Sequence, residues 1–478
     1  MRNIKFNSHK HMAFMLFLAA IFSITWIKNS SFDFYFYLAT VKSFFLNYQL
    51  PNHDPFIFSL PNYEWKVLHE WASMFSFSTV FTLAGELGAQ ILKLTLVGII
   101  AKSLLLSYKR TKDLAYLFIT IAFITIQFRL QLRGFLFGYF FFIISITYIY
   151  RLKNADFHLK HYLFFTLISC LWVNFHPSFI LVFLSPLTLY STLNDSKLFL
   201  TFTGAAFLGT LINPKGILAY SYPLQSFFDP GWELYKQFNQ EWFALFNPHI
   251  LNSYEPYLYI TFVILGFVTL IQNKAQVGLW IIFLLTLFIS IGAVRLIPYS
   301  ILFCTFLFLS QKKFFFDRYN FEVLSPLIML ILTIKLIFFE HHNISGHVEL
   351  GYGQRSNTFP NKAITILNGF PKEKLKIFNQ HKFGSYLAYR WMGEPSVFFH
   401  GFVNDFNFYK NDYLSVNQSL GQFKRVNYKY NLNAYLLSNY PASKNSGPLL
   451  YQFLYRDPEW KMIYQDAQSI LFVHTSLF

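Results

Sequence analysis

"WASMFSFSTVFTLAG", residues 71–85, decides how the whole chain is laid out. It is apolar enough to suggest a membrane span. As a helix it would be roughly 22 Å long, at about 1.5 Å per residue, against a hydrocarbon core of about 30 Å. Ser73, Ser76 and Thr79 give one side a polar character, which suits a helix lying at the interface. Charge tests the choice. With 71–85 left out of the spans and the N-terminus inside, the inner segments are 1–11, 108–113, 151–160, 194–197, 273–275 and 311–321. They read "MRNIKFNSHKH", "YKRTKD", "RLKNADFHLK", "NDSK", "NKA" and "QKKFFFDRYNF", and every one contains Lys or Arg, as the positive-inside rule expects. Counting 71–85 as a span would put "YKRTKD" and "RLKNADFHLK" outside.

Composition agrees with a membrane protein. Of 478 residues 54% are hydrophobic, 21% aromatic and only 13% charged, and mean hydropathy is +0.36. Soluble domains are nearer a quarter charged. The net charge of +16 does not indicate nucleic acid, because the bases lie in short segments between apolar runs rather than in one patch. Cys170 and Cys304 both lie within apolar runs, which excludes a disulfide framework and a cysteine-based zinc site. The opening "MRNIKFNSHKHMAFMLFLAAIFSITWI" is followed by Lys28, Asn29 and Ser30 rather than a small-residue cleavage site, so it reads as a retained first helix.

About eleven spans are expected, at 12–27, 87–107, 114–128, 135–150, 161–175, 177–193, 198–213, 256–272, 276–293, 296–310 and 323–340. Outer loops then run over about 28–86 and 214–255. The polar segment 341–478 becomes a small mixed α/β domain outside the membrane, following a helical region 1–340.

The unusual polar residues fall on the outer side. Asp33, Asp54, Glu64, His69 and Glu70 belong to the first loop. Arg129 and Arg133 of "FRLQLRG", Asn174 and His176 of "WVNFHPS", Asn213 and Lys215 of "INPKG", Glu241 of "QEWF" and Arg295 of "GAVRLIP" sit at outer turns. A proton acceptor and an anionic leaving group would both be served by such a set. Each residue also has a structural reading. The arginines could snorkel, Trp65, Trp71, Trp172 and Trp242 could be interfacial belt residues, and His176 could support the turn at Pro177. Lys215 and Pro214 could break a helix, Asp54 before Pro55 could make a turn, and Asp33 could cap a helix.

Taken in order, "SSFDFYFYLATVKSFFLNYQLPNHDPF", "YEWKVLHEWAS", "LRG", "LWVNFHPSF", "LINPKG", "EWFALF" and "AVRLIP" resemble the bacterial membrane glycosyltransferases of the GT-C superfamily. In particular they resemble a branch related to protein mannosyltransferases and to the lipid A aminoarabinose transferase. "KIFNQHKFGSYLAYRW" and "PSVFFHGFVNDFNFY" resemble that branch's extracytoplasmic tail. The tail departs from the usual "DGR" with His400, Gly401 and Phe402, and Lys215 stands where the branch usually has Tyr.

The resemblance implies a sugar moved from a polyprenyl-phosphate carrier to a glycan, lipid or protein acceptor outside the bacterial inner membrane. Asp33 matches the place of the catalytic acid, with Asp54 and Glu70 as further acidic candidates. Arg133, His176, Lys215 and Arg295 would meet the leaving phosphate, and His69 could bind substrate or hold Glu70. Arg129, Asn174, Asn213 and Glu241 complete the candidate substrate set. A divalent ion (Mg or Mn) on Asp33, Asp54 and Glu70 stays open, although no tight ligand spacing is visible. A transporter of lipid-linked sugars, favoured by Lys93, Lys102 and Lys335 within apolar runs, is the alternative of another class; an inactive scaffold is a third.

Overall fold

The computed structural model describes residues 8–47, 53–64, 67–108, 112–152, 157–190, 196–311, 321–339, 341–441 and 445–478. Helices α1 (Ser8–Thr25), α2 (Phe32–Asn47), α3 (Trp71–Leu106), α4 (Lys112–Ile126), α5 (Phe135–Leu152) and α6 (Leu159–Phe175) come first. A 3-10 helix, Pro177–Leu189, follows. Then come α7 (Ser196–Thr210), three short helices α8 (Ser221–Phe228), α9 (Gly231–Phe238) and α10 (Pro248–Leu251), and α11 (Glu255–Gln272). Helices α12 (Val277–Gly292), α13 (Ile297–Ser310) and α14 (Phe321–Phe338) complete the helical region.

Each expected span coincides with one of these helices. Trp71–Leu106, Phe135–Leu152 and Glu255–Gln272 are long and apolar enough to cross a membrane by length and composition, while the other apolar helices are shorter. The basic segments at 1–11, 108–113, 151–160, 194–197 and 311–321, like Trp65, lie wholly or partly outside the described residues.

The stretch 71–85 proves to be a helix of its own. Within α3 the backbone leaves helical geometry at Ala84 (φ −142°, ψ 20°) and Gly85 (φ 59°, ψ −149°). The second pair of angles is one that side chains other than hydrogen strongly resist, so Gly85 marks the break. Beyond it lies the part of α3 that matches the expected span 87–107. Before it, Phe77 meets Phe34 and Tyr37 of α2 edge-on or stacked, and the Ser73 hydroxyl donates to the Phe175 carbonyl at 2.6 Å.

Helix α13 is the centre: all of its residues from Ile297 to Ser310 are buried. A helix apolar on every side has no solvent or lipid face to present, and here α11, α12, α4 and α5 surround it. Small residues allow close approach elsewhere. A β-carbon at Gly209 would lie 2.3 Å from the Thr166 carbonyl oxygen, so α6 and α7 touch backbone to backbone.

The C-terminal segment opens with the hairpin β1 (His341–Asn343) and β2 (Gly346–Val348). A four-stranded sheet follows, β3 (Ile377–Asn379), β4 (Ala434–Ser438), β5 (Trp460–Gln465) and β6 (Ser469–His474), in the order β3-β4-β6-β5. Only β3 and β4 run parallel. Helices α15 (Asn361–Leu367), α16 (His381–Trp391), α17 (Phe406–Phe408), α18 (Leu420–Tyr430) and α19 (Leu449–Arg456) flank it. The first outer loop joins this sheet, since Ile57 bridges Val397, which bridges Ile377 of β3.

Helix α2 is the hinge piece between the two regions. One side carries Phe34 and Tyr37 toward α3. The other carries Phe32, Tyr35 and Phe36 onto Phe383, Phe359, Tyr386 and Phe402, with the Phe36 and Phe402 rings stacked 4.3 Å apart. Aromatic pairs of this kind add about 0.5–1.5 kcal/mol each beyond their buried area, so α2 is clamped on both sides. Its first turn is thereby fixed in space, and that turn carries Asp33.

Candidate active site

A cavity of about 1130 Å³ opens between the helical region and the C-terminal segment. Eight of the candidate residues line it: Asp33, His69, Glu70, Arg129, Arg133, His176, Glu241 and Arg295. They come from positions far apart along the chain, and the fold brings these eight to one cavity.

Asp33 is not the cap of α2. Ser31 fills that role, its hydroxyl accepting from the Phe34 amide at 3.4 Å. The Asp33 Oδ2 atom receives Arg133 Nη2 at 2.9 Å, while Oδ1 takes no hydrogen bond from the described residues. Arg133 is held at all three nitrogens, with Nε donating to Ser31 Oγ at 3.0 Å and Nη1 to Glu241 Oε1. Arg129 Nη1 reaches the same Glu241 oxygen at 2.8 Å. The Arg295 guanidinium lies over the rings of Phe135 and Trp242, at 4.4 and 4.3 Å, and Arg129 lies over Phe135 at 4.6 Å. These arginines are built into the cavity wall rather than snorkelling, and Trp242 is a platform for Arg295.

Burial pushes the Asp33 carboxyl above its usual range, more than the neighbouring Arg133 charge pulls it down; Glu241 and Glu70 add to the rise. Burial acts on Glu241 in the same way, but Arg129, Arg133 and Arg295 outweigh it and hold that carboxyl low. Two carboxyls bridged by Arg133 thus differ: the arginines hold Glu241 low, whereas burial raises Asp33.

Glu70 forms a second cluster. Its Oε2 accepts from the Tyr37 hydroxyl at 3.1 Å, and that hydroxyl accepts from the Gly134 amide at 3.1 Å. His69 Nε2 stands 3.6 Å from Glu70 Oε1, with its ring stacked on Tyr222 at 4.0 Å. Burial tends to raise Glu70, but the hydrogen bond and charge of His69, with His176 and Tyr37, bring it below the ordinary value. His176 Nδ1 accepts from the Ser178 amide at 3.0 Å, which leaves the proton of the neutral ring on Nε2. Burial lowers its pKa to about 3, against the pull of Glu70, so His176 is a neutral donor at any ordinary pH.

Two glycines make room for this cluster, Gly134 just before α5 and Gly138 within it. A β-carbon at Gly134 would fall 2.3 Å from Glu70 Oε2, and one at Gly138 would fall 2.6 Å from Ser178 Oγ and Tyr299 Oη. The spacing "GFLFG", 134–138, was the available sequence signal, a small-xxx-small helix face. Tyr37 offered no such signal. Gly401 is a fourth such member: a β-carbon added there would meet Asp33 Oδ1 at 3.6 Å, so the C-terminal segment comes close to the catalytic candidate itself.

Asp54, Asn174, Asn213 and Lys215 are placed outside the cavity lining. Asp54 Oδ2 accepts from His400 Nε2 at 2.8 Å with both side chains buried, and Oδ1 accepts from the Phe56 amide at 2.9 Å. It fastens the first loop to the C-terminal segment. Asn174 Oδ1 accepts from Trp71 Nε1 at 2.9 Å and Nδ2 donates to the Ile212 carbonyl at 2.9 Å. Asn213 closes its own turn on the Thr210 and Gly216 carbonyls, and Lys215 precedes the 3-10 turn Gly216–Tyr220. Trp172 is fully buried, donating to Ser178 Oγ at 3.1 Å.

The hard-oxygen site that Asp33, Asp54 and Glu70 could have formed is not assembled. Asp54 is engaged by His400, Asp33 by Arg133, and Glu70 by Tyr37. Among the described residues no group of three or more His, Cys, Asp or Glu side chains could hold a metal ion.

No family model matches the sequence, and no curated protein does. A solved structure does match in fold. The Archaeoglobus fulgidus oligosaccharyltransferase, in complex with Zn and sulfate, aligns with a TM-score of 0.52 over 89% of this chain and 68% of its own, at 11% identity. At that identity the likeness is one of fold, and it accords with the GT-C-like architecture expected above.

Proposed function

We propose that this chain is a membrane glycosyltransferase that moves a sugar from a polyprenyl-phosphate carrier to an acceptor hydroxyl, with Asp33 as the base. The helical region 1–340 would cross the bacterial inner membrane about eleven times, with 341–478 outside. The reading rests on one arrangement: a carboxylate whose Oδ1 is open, facing a cavity also lined by four guanidiniums and a neutral imidazole donor. In the reaction the acceptor oxygen attacks the anomeric carbon as its proton passes to Asp33 Oδ1. The bond from that carbon to the phosphate oxygen breaks, and its electron pair leaves with the phosphate. A single displacement inverts the anomeric configuration. General-base catalysis of this kind contributes about 10²–10⁴-fold in rate. Arg133 and Arg295, with the His176 Nε2–H, would stabilise the charge gained by the phosphate.

The apolar part of the cavity supports a lipid-linked donor. Leu181, Leu184, Leu285, Ile289 and Phe227 line it, and Leu285 and Phe227 are also half-exposed on the outer flank. A chain of isoprene units could therefore leave the site sideways. The residues that favoured transport do not form a path. Lys93 Nζ donates to the Ile27 carbonyl at 3.2 Å, Lys102 and Lys335 are exposed, and none of the three lines the cavity.

The test is to reconstitute the full chain in vesicles and supply polyprenyl-phosphate sugars one at a time. Release of carrier phosphate and a new, inverted glycosidic bond support the transferase. Movement of intact lipid-linked sugar across the vesicle without bond cleavage would replace it with a transporter.

A further inference from the structure

The upper wall of the cavity is supplied by the C-terminal segment, and its chemistry differs from that of the floor. The three carboxylates, Asp33, Glu70 and Glu241, all belong to the helical region; residues 341–478 add none. Their contribution includes five amide side chains, Asn357, Gln380, Asn404, Asn439 and Gln468, and two cations, Arg355 and Lys382. Four of the amides are each oriented by a single hydrogen bond. Gln380 Oε1 accepts from the Ser438 amide at 2.7 Å, and Asn439 Oδ1 accepts from Gln465 Nε2 at 2.9 Å. Gln468 Nε2 donates to Asn357 Oδ1 at 2.9 Å. Among the described residues no hydrogen bond then engages Gln380 Nε2, Asn439 Nδ2, Asn357 Nδ2 or Gln468 Oε1. Exchanging oxygen and nitrogen in the Asn357–Gln468 pair changes nothing in this respect, since the pair still offers one donor and one acceptor.

We infer that this wall is the acceptor subsite, and that the acceptor is an oligosaccharide bearing no positive charge. Each sugar hydroxyl is both donor and acceptor, so preset amides that present both functions match it without a charge. A cationic acceptor would find no carboxylate on this wall, and an apolar one would leave the amides without partners. The wall adjoins the base, because Gly401 of the same segment lines the cavity with Asp33, and a β-carbon added there would lie 3.6 Å from Asp33 Oδ1. The inference deepens the transferase reading and depends on it for the chemistry, although not for binding.

Two measurements separate the two claims. The first is binding without donor: the reconstituted full chain is probed by saturation-transfer NMR with neutral tetrasaccharides of glucose, galactose and N-acetylglucosamine. The second is transfer from a polyprenyl-phosphate sugar to the same probes, read as KM and kcat. Gln468→Ala and Asn357→Ala are compared with wild type, each checked for its melting profile. The expected result is binding by wild type and a KM raised about two- to tenfold in each variant, as loss of one neutral hydrogen bond implies, with kcat changed less. Binding that depends on Gln468 in a protein that cleaves no donor would keep the subsite and remove the transferase. Absence of binding to every neutral probe, unchanged KM in both variants, or transfer to a peptide instead would overturn the subsite.

Discussion

Asp33 and Arg133 face each other at 2.9 Å, and that pair gives the account its pH dependence. The Asp33 pKa is raised in the fold, so at a pH near the ordinary aspartate value the group still holds its proton and cannot act as a base. Activity should therefore appear only as pH rises through a value above that of a free aspartate, about 3.9. A pH profile of donor cleavage would show the acidic limb displaced upward. A limb at or below the free value would remove Asp33 from the role. At this scale the sequence revealed what is costly in an apolar chain: acids and arginines at outer turns. It concealed what is ordinary. Tyr37 is one of 31 tyrosines, and its place between Gly134 and Glu70 follows from packing alone. Asp54 looked catalytic because its partner, His400, lies 346 positions further along the chain.

At the scale of elements, apolar length was the legible quantity, and every expected span is a helix. The kind of helix was not legible. Pro177–Leu189 is a 3-10 helix with Pro186 inside it, a residue that removes an amide donor from any regular ladder. The break in α3 is the element on which the layout depends, because it separates Trp71–Leu83, packed on α2, from the longer apolar run. Nothing lies within 4 Å of a β-carbon at Gly85, so Gly85→Ala meets no neighbour and acts through the backbone alone. It should destabilise the protein by about 1–3 kcal/mol, read as a lower melting temperature. Unchanged stability would mean that α3 runs on as one continuous helix without penalty.

The whole molecule is joined by α2 and by the buried Asp54–His400 contact, neither of which composition could announce in a chain with 62 phenylalanines. Removing the imidazole leaves the Asp54 carboxylate buried with only the Phe56 amide. His400→Ala should cost about 3–5 kcal/mol, as for breaking other buried pairs, and should loosen the C-terminal segment from the first loop. Limited proteolysis after mild heating would detect this as earlier cleavage within 341–478; a cleavage pattern like that of wild type would assign the union to the aromatic face of α2 instead.

The central claim is that one carboxylate, presented by α2 to a cavity lined with guanidiniums, drives sugar transfer. Its most direct test is sugar release from polyprenyl-phosphate sugars in membranes, comparing wild type with Asp33→Asn at equal folded amounts. The account predicts turnover in wild type and a loss of about 10²–10⁴-fold in the variant. Undiminished turnover by Asp33→Asn would contradict it and move the base to Glu70.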